Sequence, residues 1–148
     1  FMTRADDCDD LLVREKQYQD NATPAANGVA FTNLIRLSDL TGDLSYLKRA
    51  ERGLKALGGI VEKYPRACPS LLAASDWWHH RVSVKTEGDR LSQRQTSAHF
   101  VTSFSTDLDA DFTDLGLVCW GLKCLKPAKS DEQMAQQIRD GQVRVKST

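Results

Sequence analysis

Neither sign of charge is in surplus: 20 lysines and arginines stand against 20 aspartates and glutamates in 148 residues. Neutralising phosphates takes a basic face, so the missing surplus excludes an electrostatic nucleic-acid binder, and no basic cluster exceeds Lys48-Arg49. Also missing is any apolar run near the roughly 20 residues that cross a bilayer, which predicts no membrane span. Phe1 to Asp10 is acidic where a secretory leader would be basic and then apolar. Four cysteines are too few for a disulfide framework, which predicts a reducing, cytoplasmic setting. Internal repeats and low-complexity tracts are absent as well. What is there is ordinary globular composition, 41% hydrophobic and 27% charged. A chain of this length can bury about two-thirds of its unfolded surface. The first residue is Phe1 rather than Met, which predicts a piece of something longer.

Ala30, Phe31, Leu34, Ile35 and Leu37 recur at helical spacing and predict a helix from Ala26 to Leu40. Pro24 suits its first turn, and Asn21 or Thr23 suits its cap. Thr41-Gly42-Asp43 stops that helix with a glycine where a left-handed residue is needed, and Asp43 is placed to cap the next one. Leu44, Leu47, Ala50, Leu54, Leu57 and Val61 then step by three or four, while Lys48, Arg49, Arg52, Lys55 and Glu62 take the other faces. The segment 24–62 therefore reads as an antiparallel helical hairpin whose interface is Ala30, Leu34, Leu37, Leu47, Leu54 and Leu57. After the Pro65 to Pro69 punctuation, Ser70 to Trp78 predicts a helix of about two turns. Beyond His80 the pattern changes. The runs 81–85, 99–104 and 115–120 are alternating or β-branched and predict strands. Ser130 with Gln133 forms a capping-box signature that opens a helix through about Arg139.

Four groups of residues invite chemistry. Cys119 and Cys124 have four residues between them in CWGLKC, with no second pair and no nearby histidine, so no metal site is predicted. A thioredoxin-type dithiol has two intervening residues and a helix N-terminus, and this pair has neither. The pair reads as a buried strand cysteine and a more accessible turn cysteine, candidates for redox or structural thiols at most. Trp77-Trp78-His79-His80 reads as one indole in the core and one along the surface. Asp107, Asp109, Asp111 and Asp114 lack the glycine and the terminal glutamate of a calcium loop and read as a solvated acidic loop. Arg14 to Asn21 gathers charged and amide groups before a helix N-terminus. That suits an anionic or polyhydroxylated ligand, against the alternative of a hydrophilic loop with an N-cap.

The run from Leu11 to Leu54 carries Arg14, Lys16, Asp20, Ala22, Pro24 and Asn27, then Leu40 to Asp43, Tyr46, Ala50 and Glu51. These positions resemble a family pattern of R-x-K-D-x-x-D-x-A-x-P-S-G-N, a leucine-rich helix, L-T-G-D and Y-x-x-x-A-E. Gln17 and Ala25-Ala26 stand where the pattern has aspartate and serine-glycine. The family is that of the thioredoxin-domain-containing proteins, which include the spermatogenesis-associated redox proteins of animals and many bacterial homologues. They join a thioredoxin-like domain to a six-hairpin α/α toroid. LVCWGLKCLKPAKSDEQM is similar to the family's closing segment, whereas residues 80–112 match least.

The resemblance implies a mainly α chain with a small α/β tail: the final hairpin of the toroid, then a few short strands and a C-terminal helix. Residues 1–78 would be the end of the toroid and 79–148 its α/β extension. Two functions follow. In one, the parent is carbohydrate-active or carbohydrate-binding, as sugar epimerases and glycosidases of that fold are, with Arg14, Lys16, Asp20 and Asn27 in the cavity wall. In the other, the toroid is a non-catalytic scaffold or binding module serving the redox domain. Either way the implied partners are the rest of the parent chain and, in the first case, a carbohydrate. No cofactor is implied, catalytic residues would lie upstream, and the piece alone would be inactive, with apolar flanks left bare.

Overall fold

The computed structural model describes residues 17–87, 101–106, 108 and 112–143. The chain divides into two compact units, Phe1–Ser38 with Gly42–Trp77, and Asp39–Thr41 with Trp78–Thr148. The elements are α1 (Ala26–Thr41), α2 (Leu44–Lys63), a short 3-10 turn (Pro65–Ala67), α3 (Pro69–His80), β1 (Val82–Thr86), β2 (Thr102–Ser105), β3 (Gly116–Trp120), β4 (Lys123–Cys124) and α4 (Asp131–Val143). The fold is mainly helical with a small four-stranded sheet. Among the described residues no helix is long and apolar enough to cross a membrane.

In the first unit, Gly42 takes the left-handed conformation at φ 74° and its N–H closes on the Ser38 carbonyl at 2.9 Å, which ends α1. Asp43 then accepts the Ser45 N–H at 2.8 Å and starts α2. Phe31, Cys68, Leu71 and Ala74 form the core, with Leu34, Leu54, Leu57, Ile60 and Val61 packed around them. A methyl group on Gly53 would collide with the Phe31 ring, and one on Gly28 would collide with Ser70. Both helix contacts thus depend on bare backbone. One expected interface residue is misplaced: Leu37 is 41% exposed. At about 100° per residue it falls some 120° around the helix from Phe31, which holds the centre of the contact with Leu34 and Ile35 beside it.

In the second unit, the strand order is β2-β1-β3-β4, with β1 parallel to β2 and antiparallel to β3, and β3 antiparallel to β4. Val82, Val84 and Thr86 alternate inward along β1 because side chains in a strand change face at every residue. Helix α4 covers the sheet, so that Met134 and Ile138 join Val82, Val84, Val118 and Ala128 in one core. Gly116 lies beneath the Met134 methyl and the Lys85 carbonyl, and Gly141 lies beneath the Trp120 indole. The indole nitrogen donates to the Gln137 carbonyl at 3.0 Å. Ser130 Oγ accepts the Gln133 N–H at 3.2 Å while Gln133 reaches back to the Lys129 N–H at 2.9 Å, a capping box displaced by one residue. Asp107, Asp109 and Asp111 lie outside the described residues.

One expectation about cysteine is corrected. Cys119 and Cys124 are not separate thiols: their sulfurs are bonded. They face each other across the β3–β4 register, a pairing that only the two-residue strand β4 reveals. Cys68 is a free thiol, fully buried.

Candidate functional site

Of the four residues assigned to a ligand wall, Arg14 and Lys16 lie outside the described residues. Asp20 and Asn27 are both in the first unit and both engaged with the fold. Asp20 Oδ2 accepts the Ser70 N–H at 2.6 Å, and Oδ1 accepts the Ser70 hydroxyl at 2.6 Å together with the Ala25 N–H. Its own N–H donates to the Ala67 carbonyl at 2.8 Å. Ala25 is the residue that caps α1, and neither it, Asn21 nor Thr23 supplies a capping side chain. Asp20 does so from five residues upstream and at the same time meets the first turn of α3, placing one carboxylate where two helices present unpaired N–H groups. Asn27 is 2% exposed and its amide donates to the Gln17 carbonyl at 2.6 Å, which fastens the incoming chain to α1.

The electrostatics follow from these bonds. Burial works to raise the Asp20 carboxyl, but the bonds from Ser70 and Ala25 outweigh it and hold it below the ordinary aspartate range. The Cys68 thiol is pushed up, first by burial and then by the Asp20 charge, so it is inert rather than nucleophilic. A carboxylate whose folded form titrates low stabilises the fold above its unfolded pKa, and that contribution is lost as pH falls through the lowered value. Asp20→Ala is therefore expected to cost about 2 kcal/mol in urea unfolding at neutral pH, the sum of two modest caps. The wild-type advantage should shrink in acid, below roughly pH 4. A difference independent of pH would refute the capping role.

A second constellation, which no local motif announces, lies in the other unit. Arg81 Nε donates to Asp39 Oδ1 at 3.0 Å, and the two side chains are 5% and 7% exposed. Arg81 Nη1 donates to the Trp78 carbonyl at 2.8 Å, and its guanidinium carbon lies 5.8 Å from the centre of the Trp78 ring. The Ser103 hydroxyl lies 3.5 Å from Asp39 Oδ2. Burial pushes the Asp39 carboxyl up, and Arg81 and Ser103 only partly offset it. Such a pair locks geometry; with its charges matched and removed from water, it has no free acid or base to offer. Only its partners' separation of 42 residues hid it from the sequence. Among the described residues no cluster of three acidic, histidine or cysteine side chains is arranged to hold a metal ion.

Half of the chain is 35% identical, over 74 residues, to spermatogenesis-associated protein 20 of Rattus norvegicus. The matched stretch spans 9% of that protein's length. No family model matches the chain. No solved structure matches it.

Proposed function

We propose that this chain is part of a non-catalytic packing and binding module in a larger protein akin to spermatogenesis-associated protein 20, with α1 and α2 as one hairpin of a helical toroid. The module would serve a thioredoxin-like domain elsewhere in that protein. The observation that supports this reading is the state of Asp20. Both of its oxygens are engaged by Ser70 and Ala25, which leaves it a clasp between helices rather than an acid or base facing a sugar. Asn27, buried to 2%, is turned to the backbone in the same way. The exposed apolar side chains of Val29, Leu40 and Leu44 supply surface for packing against further helices.

A titration with maltose, cellobiose and N-acetylglucosamine, followed by amide resonances, tests the reading. The resonances of residues 17–30 are expected to stay in place. Shifts confined to that segment would return Arg14, Lys16, Asp20 and Asn27 to the role of a carbohydrate-binding wall and refute the scaffold.

A further inference from the structure

We propose that Cys119 and Cys124 form a reversible thiol–disulfide exchange site, entered at Cys124 and reduced by a dithiol. Three observations carry this. The first is asymmetry of access. Cys124 lies on the exposed edge strand β4, whereas Cys119 is 5% exposed on β3. An incoming thiolate must approach a sulfur in line with the S–S bond, so the edge cysteine is the one attacked and the inner one leaves.

The second observation is charge. Lys123 precedes Cys124 and Lys126 follows two residues later, and both are exposed. Exposed ammonium groups one and two residues from Cys124 along the chain make this edge of the sheet locally positive, which draws in an anionic thiolate.

The third observation is redundancy. The hairpin is held without the sulfurs: the Leu125 N–H donates to the Val118 carbonyl at 2.9 Å, the Ala128 N–H to the Gly116 carbonyl at 2.9 Å, and the Gly121 N–H to the Arg81 carbonyl at 3.0 Å. Gly121, at φ 59°, sets the turn between them. The core beneath is built from Val82, Val84, Val118, Ala128, Met134 and Ile138, without either cysteine. The bridge also closes a very short loop, with a sequence separation of 5, and such a loop restricts the unfolded chain least. Opening the bond therefore leaves the two thiols opposed and ready to close again.

The exchange runs in two displacements. A thiolate of the dithiol attacks Cys124 Sγ, forming a mixed disulfide, while the electron pair of the broken S–S bond departs on Cys119 Sγ, which takes up a proton. The dithiol's second thiolate then attacks its own sulfur in the mixed disulfide, closing the reagent's disulfide and expelling Cys124 as a thiolate that protonates. Two electrons and two protons pass to the protein, and the dithiol is oxidised.

The test reduces the folded chain with dithiothreitol and counts new thiols by maleimide mass shift, with near-ultraviolet circular dichroism recorded alongside. Reduction is expected to outrun global unfolding by at least about tenfold, with the tertiary signal retained. Reduction only at the rate of unfolding, or with loss of the tertiary signal, would overturn the proposal. A second arm compares Cys119→Ala with Cys124→Ala against a chromogenic aromatic disulfide. The exposed Cys124 of the first variant is expected to react at least about tenfold faster than the inner Cys119 of the second. Equal rates, the reverse order, or failure of Cys119→Ala to keep its tertiary signal would likewise overturn it.

Discussion

Replacing Arg81 with alanine is expected to cost about 3–5 kcal/mol, the usual effect of leaving a buried charge without its partner. Asp39, whose side chain is 7% exposed beside Arg81, would be left with the Ser103 hydroxyl 3.5 Å away as its remaining polar neighbour, and the Trp78 carbonyl would lose its donor. At roughly 2–4 °C per kcal/mol for a chain of this size, the melting temperature should fall by about 10 °C. The pH dependence carries the sharper signature. Asp39 already titrates above its ordinary value because burial disfavours its charge, and two of the influences that lower it come from Arg81. A carboxyl raised in the folded state binds its proton more tightly there than in the unfolded chain. The stability that this binding contributes is present below the unfolded pKa and lost as pH rises through the folded one. Without Arg81 the upward shift grows, so the variant's deficit should be largest at neutral pH and narrow in acid. A double variant, Asp39→Leu with Arg81→Met, removes both charges and should lie near the wild type. Equal losses in the single and double variants would mean that packing, not charge, sets the cost.

That pair also shows where the sequence stops informing. Helices α1 and α2 were legible because their signals are local: Gly42 in the left-handed conformation and Asp43 on the Ser45 N–H act within a few residues of where they stand. Strand β1 was legible over 81–85 because Val82 and Val84 alternate with Ser83 and Lys85, and the structure carries it on to Thr86. Asp39 reads in sequence as one more polar residue near a helix end, and nothing local distinguishes it from Asp76. Its meaning depends on Arg81, Trp78 and Ser103, which the tertiary fold delivers. The disulfide is hidden for a related reason. Spacing alone does not say whether CWGLKC turns tightly, and the turn rests on Gly121 and a strand of two residues too short to show periodicity. At Asp20 the structure shows which groups the carboxylate holds: the N–H and hydroxyl of Ser70, 50 residues downstream, and the Ala25 N–H, partners that no local spacing announces.

Leu71→Ala is expected to destabilise the first unit by about 2–5 kcal/mol, and Leu72→Ala, its immediate neighbour, to stay within about 0.5 kcal/mol. The two leucines are indistinguishable in sequence, yet Leu71 is 0% exposed and Leu72 is 42% exposed. Truncating Leu71 removes methyl groups that fill the space between Phe31, Cys68 and Ala74, and the surrounding helices collapse only partly into the gap. The loss is readable without full unfolding, because Cys68 is a free thiol at the centre of that cluster. Its reaction with a thiol reagent requires local opening, so in the Leu71→Ala chain labelling should accelerate in proportion to the lost stability, while Leu72→Ala leaves it unchanged. Cys68 immediately precedes α3, beside Ser70 and within reach of the Asp20 charge. If Cys68 labels equally fast in the wild type and in Leu71→Ala, the core assigned to these three helices is wrong.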